Sequence, residues 1–327
     1  MKTKKIKITD INNEIIMDDV AFLCCASFED RSIIISNAVS GKSFKFVYIF
    51  ANLDYHQKIL QNANIIKSIF GDNSKIVSTK IQDPLLTGRE IQGVINTLIK
   101  NNIKNIILDI STFTHEMLLI LLMAIYENKK YFDNIMCIYM GAKDYSINET
   151  IEKKWLSKGC KQIRTVIGYP GKLIPSIPIC LIVLVGYEHE RAAIMIEEMD
   201  PEFLILGKGL PSDDSLTNSS HKAPMLHFQN ILTNLVSRRG EIGSFDFSCR
   251  NLQSTFSAIE EQIRKTEGFN HIIVPLNTKI STLAVGLAAL KNKNIQVCYA
   301  EPETYNFQGY SLPDDEATLI GNILELF

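Results

Sequence analysis

The chain carries one strand-loop-helix pattern twice, its copies about 160 residues apart, and a repeat on that scale fixes the architecture before any single motif does. An apolar run, Val20-Ala21-Phe22-Leu23-Cys24-Cys25, opens into Ala26-Ser27-Phe28-Glu29-Asp30-Arg31-Ser32. Past the middle, Ile179-Cys180-Leu181-Ile182-Val183-Leu184-Val185 opens into Gly186-Tyr187-Glu188-His189-Glu190-Arg191-Ala192. Each copy reads as a buried strand, a small residue, an aromatic, a glutamate and an arginine, then helix-compatible apolar spacing. A second pair follows in the same order. Residues 106–116 (Ile-Ile-Leu-Asp-Ile-Ser-Thr-Phe-Thr-His-Glu) and 272–282 (Ile-Ile-Val-Pro-Leu-Asn-Thr-Lys-Ile-Ser-Thr) each end a strand and start an apolar helix. The expected fold is α/β: two tandem Rossmann-like parallel-sheet halves related by an internal repeat.

Local patterns agree. Short runs such as Phe46-Val47-Tyr48-Ile49-Phe50 and Met136-Cys137-Ile138-Tyr139-Met140 are apolar on both faces, as strands covered on both sides are. Helical spacing lies between them, with Ile59, Leu60, Ala63, Ile66, Ile69 and Phe70 on one face of 56–70, and Ile91, Val94, Ile95, Leu98 and Ile99 on one face of 89–100. The alternation predicts βαβ units with right-handed crossovers. Pro and Gly clusters at Tyr169-Pro170-Gly171 and Pro175-Ser176-Ile177-Pro178 read as turns and exclude central strands. They give a division into a half at 1–150, a linker at 151–178 and a half at 179–327. The polar stretch 207–222 reads as a long loop.

A net charge of −2 supplies no global basic field for nucleic acid. Five of the seven cysteines (Cys24, Cys25, Cys137, Cys180, Cys298) sit in strand-like apolar runs, the habit of buried free thiols in a reducing compartment. No CxxC or His/Cys spacing suggests zinc, and neither a metal nor another cofactor is expected. The apolar stretch Met117–Tyr126 is too short to span a bilayer and no apolar signal region follows the basic start, so a cytoplasmic protein without membrane contact is expected.

In open parallel sheets ligands gather outside the carboxyl ends of strands, where helix N-termini point. Every repeated polar segment falls at such an end. The ligand-binding candidates are Ser27, Arg31, Asp109, Ser111 and Thr112 in the first half. In the second they are Gly186, Tyr187, Arg191, Asn277, Thr278, Lys279 and Ser281. Carboxylates beside a guanidinium suit ribose hydroxyls and phosphate, or general-base and nucleophilic work on an N-glycosidic bond, which makes Glu29, Asp30, Glu188 and Glu190 the catalytic candidates. Each has a plainer reading as well. Glu29–Arg31 and Glu188–Arg191 also fit ion pairs that cap the first helix, and Asn277-Thr278-Lys279-Ile280-Ser281 also fits a helix N-cap.

The Asn277–Ser281 turn and its counterpart Asp109–Glu116 resemble the strand-four loop of CRISPR-associated Rossmann-fold (CARF) domains. In that family an Asp or Asn followed by Thr-Gly-Gly-Thr-Lys holds the backbone of a cyclic oligonucleotide, and fused pairs of such domains occur in the related SAVED sensors. The double glycine is absent here, and Thr114 or His115 stands where the first half would carry lysine. The resemblance implies a nucleotide or cyclic-oligonucleotide ligand in a prokaryotic defence or signalling protein. It also implies a separate effector or partner protein, with a homo-oligomer as a further assembly open to such a sensor. The alternative is an enzyme acting on nucleotides, N-glycosidase- or hydrolase-like, through the acidic strand-end loops.

Overall fold

The computed structural model describes residues 3–147, 149–210, 221–237 and 242–327, and the chain divides into two compact units. One comprises Met1–Lys143 with Ser311–Phe327, the other Asp144–Tyr310. In chain order the strands of the first unit are β1 (Thr3–Lys7), β2 (Val20–Ala26), β3 (Phe46–Ala51), β4 (Ser74–Ser78), β5 (Asn105–Asp109) and β6 (Asn134–Tyr145). Those of the second are β7 (Ser157–Lys158), β8 (Gln162–Pro170), β9 (Ile179–Val185), β10 (Phe203–Leu210), β11 (Ile242–Ser248), β12 (Asn270–Leu276), β13 (Gln296–Glu301) and β14 (Thr304–Tyr305). β15 (Ser311–Ile320) returns to the first unit. The helices are α1 (Ile11–Glu14), α2 (Arg31–Ala38), α3 (Gln57–Phe70), α4 (Pro84–Lys100), α5 (His115–Glu127), α6 (His189–Met199), α7 (Lys222–Val236), α8 (Leu252–Lys265) and α9 (Lys279–Lys291).

The repeat is real at the level of topology. The first sheet contains β4-β3-β2-β5-β6 and the second β11-β10-β9-β12-β13, each run parallel throughout. The strand order is therefore the same, and it reverses beside the first strand of each run, the arrangement of Rossmann-like folds. Helix packing repeats too: α2 lies against α3 and α4 against α5, as α6 lies against α7 and α8 against α9. Sheet register aligns the copies residue by residue, Leu108 pairing with Leu23 and Val274 with Val183.

Local sequence explains these elements. β2, β9 and β12 are buried along almost their whole length, so their Val, Ile, Leu and Cys side chains have protein on both faces. Asp83 accepts the Leu86 N–H and places Pro84 at the first turn of α4, and Thr114 accepts the Met117 N–H ahead of α5. α5 and α9 are apolar around most of their circumference; α9 is buried apart from its terminal residues, and α5 from His115 to Ile125 apart from half-buried Met123. Met117–Tyr126 is thus an interior helix, and among the described residues no helix is long and apolar enough to cross a membrane. The five cysteines placed in strand-like runs are all buried and free.

Three segments differ from the sequence division. Residues 151–178, expected as a linker, contain β7 and β8, and β8 pairs antiparallel with β13 at the edge of the second sheet. Residues 311–327, expected in the second half, belong to the first unit, where β15 lies beside β6 and pairs antiparallel with β1. The boundary falls after Lys143 rather than at 150. Of the expected loop 207–222, residues 207–210 continue β10 and 221 and 222 open α7, while 211–220 lie outside the described residues.

Candidate functional site

The glutamate-arginine loops fold into the same device in both units. After β2, Arg31 donates through Nε and Nη2 to Glu29 Oε2 at 2.8 and 2.6 Å, and through Nη1 to the Met140 carbonyl on β6 at 3.0 Å. Ser311 Oγ donates to the same carboxylate oxygen at 2.6 Å. After β9, Arg191 Nη1 donates to Glu188 Oε1 at 2.6 Å, Nη2 donates to the Ala300 carbonyl on β13, and Ser157 Oγ donates to Glu188. Both arginines therefore stand at equivalent corners, each tying the first strand's loop to the fifth strand of its run. Arg31 and Arg191 are 4% and 2% exposed. A buried guanidinium with a carboxylate and a carbonyl partner fits the ion-pair reading of these loops. Asp30 points elsewhere: it is exposed and pairs with Lys58 at 2.8 Å.

The remaining first-unit candidates are also engaged. Ser27 Oγ accepts the Glu29 N–H at 3.3 Å, and Thr112 Oγ1 donates to the Cys25 carbonyl at 2.6 Å. Asp109 Oδ1 accepts both the N–H and the hydroxyl of Ser111, at 3.0 and 2.5 Å, and Ser111 Oγ in turn accepts the Met140 N–H. Burial raises the Asp109 carboxyl to about 6, opposed by the Ser111 hydroxyl and N–H and more weakly by Arg31.

In the second unit the loop after β12 closes on itself. Asn277 Nδ2 donates to the Val185 carbonyl at 2.6 Å, and Asn277 Oδ1 accepts from the Thr278 N–H at 2.8 Å and from Cys249 Sγ at 3.2 Å. Thr278 Oγ1 accepts the Ser281 N–H at 3.2 Å as the N-cap of α9. Gly186 is required by this closeness: a Cβ there would sit 2.7 Å from the Leu276 carbonyl oxygen and 3.2 Å from Asn277 Cα. Thr278 and Ser281 make the capping contact, while Asn277 ties the turn to Val185 and Cys249.

Open space lies next to these residues. A cavity of about 410 Å³ at the carboxyl end of β9 is lined by Tyr187, Glu188, His189 and Glu190. Phe228 and Ile231 of α7 and the segment Glu149–Lys158 complete it, the latter contributing Trp155 and Lys158. Trp155 is the chain's single tryptophan. Its backbone is held by Ser146, whose hydroxyl accepts the Trp155 N–H at 3.1 Å and donates to the Trp155 carbonyl at 2.9 Å. Ser146 is fully buried in the left-handed region at φ 51°, a conformation a serine keeps only where its surroundings enforce it. The Lys158 ammonium lies 4.9 Å from the Trp155 ring centroid. Opposite chemistry comes from α6 and α7. His189 stacks on Phe228 with centroids 4.8 Å apart and planes 8° from parallel, and burial lowers its pKa, which keeps the imidazole neutral at pH 7. The Tyr187 hydroxyl meets His221 Nδ1 at 2.9 Å.

The lining charges sort into spent and available. Lys154 is buried and bound to Asp144 at 2.7 Å, and Glu188 is bound to Arg191. Glu149, Glu190 and Lys153 make no side-chain hydrogen bond or salt bridge among the described residues. Glu152 is held below the usual carboxylate range by its own backbone N–H and then by the Thr150 hydroxyl, so it is ionised at neutral pH. Of the sequence candidates, Tyr187, Glu188 and Glu190 line the cavity, and Arg191 and Lys279 are not among its lining residues. The Trp155 wall was not anticipated, because 151–178 reads as a linker. The one signal for it was a lone tryptophan among lysines and glutamates. Among the described residues no group of three or more His, Cys, Asp or Glu side chains is arranged to hold a metal ion.

Ser146→Ala should cost about 1–3 kcal/mol in denaturant unfolding followed by Trp155 fluorescence, because it strands the Trp155 N–H, while the Trp155 carbonyl keeps the Asn306 amide at 3.2 Å. Ser146→Gly, which relaxes the left-handed strain, should cost about 0.5–1 kcal/mol less. Equal stability of all three proteins would show that the wall is held by other contacts.

No family model and no curated protein matches the chain. Among solved structures it is similar to UDP-GlcNAc 2-epimerase from Neisseria meningitidis bound to UDP-GlcNAc, at 7% identity and a TM-score of 0.24, over 78% of this chain and 76% of that one. It is also similar to an adenylation, ketoreductase and pseudo-Asub structure from a keto acid-selecting NRPS module. That match has 7% identity and a TM-score of 0.22, over 90% of this chain and 34% of that one.

Proposed function

We propose that the chain binds a nucleotide-type ligand in the second unit's cavity. The observation that carries this reading is the meeting of an aromatic wall, Trp155 with Tyr187 and Phe228, with unspent charged groups at the carboxyl end of β9. That strand lies where the sheet order reverses, the position at which open α/β sheets bind their ligands. The volume falls within the roughly 300–1,000 Å³ of small-molecule sites. A flat heterocycle suits the aromatics, and hydroxyl and phosphate groups suit the carboxylates and lysines.

An enzymatic form of the reading rests on Glu190. This carboxylate lines the cavity from the first turn of α6 beside the neutral His189, free of the ion pair that occupies Glu188. It is the acidic candidate available as a general base in hydrolysis of an N-glycosidic or phosphate bond.

A panel of nucleosides, nucleotides and cyclic oligonucleotides, screened by thermal unfolding, tests both forms. A ligand at a hundredfold excess over its Kd should stabilise the protein by about 2.7 kcal/mol, and Trp155→Leu should abolish that shift. Chromatography then separates the two: a ligand recovered intact means a binding protein, and loss of turnover in Glu190→Gln means an enzyme. A cyclic oligonucleotide as the stabilising ligand would bring with it the defence or signalling role and the separate effector. A panel that stabilises nothing would overturn the proposal.

A further inference from the structure

We infer that the cavity selects one ribonucleoside unit, neutral or carrying a single phosphate, through carboxylate contacts to vicinal hydroxyls. This rests on the nucleotide reading above and narrows it. Lys154 is neutralised by Asp144 and Glu188 by Arg191. The charges left to meet a ligand are then Lys153 and Lys158 against Glu149, Glu152 and Glu190, an excess of negative charge. A triphosphate brought among those carboxylates meets like charge that two lysines do not offset, one of them already over the Trp155 ring. Ionised carboxylates are acceptors only, so the groups they hold must be donors. A ribose presents two adjacent hydroxyl donors, and the bases with exocyclic amines present a third.

Size leads the same way. At about 410 Å³ the cavity is near the lower end of ligand-site volumes. It has room for one base and one sugar against Trp155, and none for a ring of several nucleotides. The phosphate of a monophosphate has the Lys153 and Lys158 ammonium groups within the same lining.

The full chain reports on this site directly, since its single tryptophan is in the wall. Trp155 emission would be titrated with the four common ribonucleosides, their 5′-monophosphates and triphosphates, the 2′,3′-dideoxy analogue of the tightest binder, cyclic tri-adenylate and free ribose. One ribonucleoside or its monophosphate should bind tightest. Its dideoxy analogue should lose about ten- to a hundredfold, the worth of charge-assisted hydrogen bonds to the two hydroxyls. The triphosphate should bind about tenfold or more weaker, and Glu190→Gln should narrow that gap. A triphosphate or cyclic tri-adenylate binding more tightly than every nucleoside overturns the inference and leaves the nucleotide reading standing. Free ribose matching the nucleoside overturns the inference in favour of a sugar site. Silence from every base-bearing ligand removes both readings.

Discussion

Arg191→Met and Arg31→Met are each expected to lower the stability of their unit by about 3–5 kcal/mol, the loss seen when one partner of a buried ion pair is removed. The cause is the partner left behind. Glu188 and Glu29 would remain buried as carboxylates, keeping only the hydroxyls of Ser157 and Ser311, and a backbone carbonyl on the fifth strand would lose its donor. Arg191→Met/Glu188→Leu should recover much of the loss, since replacing the whole pair by apolar groups of similar size is close to neutral. Guanidinium unfolding read by Trp155 fluorescence isolates the second unit, and circular dichroism reads both. If Arg191→Met unfolds normally yet no longer binds a ligand identified by the thermal screen, the pair belongs to the binding site and not to the frame around it.

Asp109→Asn is expected to stabilise the first unit above pH 6.5 by about 2–3 kcal/mol. The folded protein holds this carboxyl near 6 and the unfolded chain near 3.8, because burial disfavours the charge. Between those values the folded state keeps a proton that the unfolded state has released. The protonated acid's contribution is therefore complete below about pH 4 and is lost as pH rises through 6, about 1.4 kcal/mol for each unit between the two values. Asparagine cannot ionise, and its oxygen can still accept from the Ser111 N–H and hydroxyl. Stability measured from pH 4 to 8 should fall across that window in the parent and stay flatter in the variant. Parallel curves for the two proteins would show that Asp109 is ionised throughout.

Strands that are buried on both faces announce themselves, which is why β2, β3, β9 and β12 were legible as residue runs. The edges were not. β8 reads Gln-Ile-Arg-Thr-Val-Ile-Gly-Tyr-Pro, mostly part-exposed and ending in a proline that a central strand would exclude. β15, which lies between β1 and β6, carries Pro313 and three successive acids, and its pairing with β1 begins only at Glu316, the last of them. Such sequences look like loops because β8 has a strand on one side only and the first residues of β15 have no partner in β1. The strand-end rule named Tyr187, Glu188 and Glu190, which line the cavity at the end of β9. It passed over Trp155, Lys153 and Lys158, whose segment follows neither a two-residue nor a 3.6-residue period. Asn277, Thr278 and Ser281 have two readings in the sequence, cap and ligand, and their contacts to Val185, Cys249 and each other are ones that no spacing reveals.

The return of β15 sets a clock on synthesis. The first sheet has β1 to β6 available once residue 145 has emerged, but β15, which lies beside β6 and pairs with β1, is made only after the whole of Asp144–Tyr310. At about 5–20 residues per second that is a wait of roughly eight to thirty seconds. During that interval β6 presents an unpaired strand edge, and Glu29 and Arg31 are buried without the Ser311 hydroxyl. The second unit, by contrast, is one continuous stretch of chain and can complete its sheet as it emerges. A nascent chain stalled before residue 311 should therefore have its second unit complete and its first unit unfinished, which makes the first unit the place where chaperones or aggregation compete.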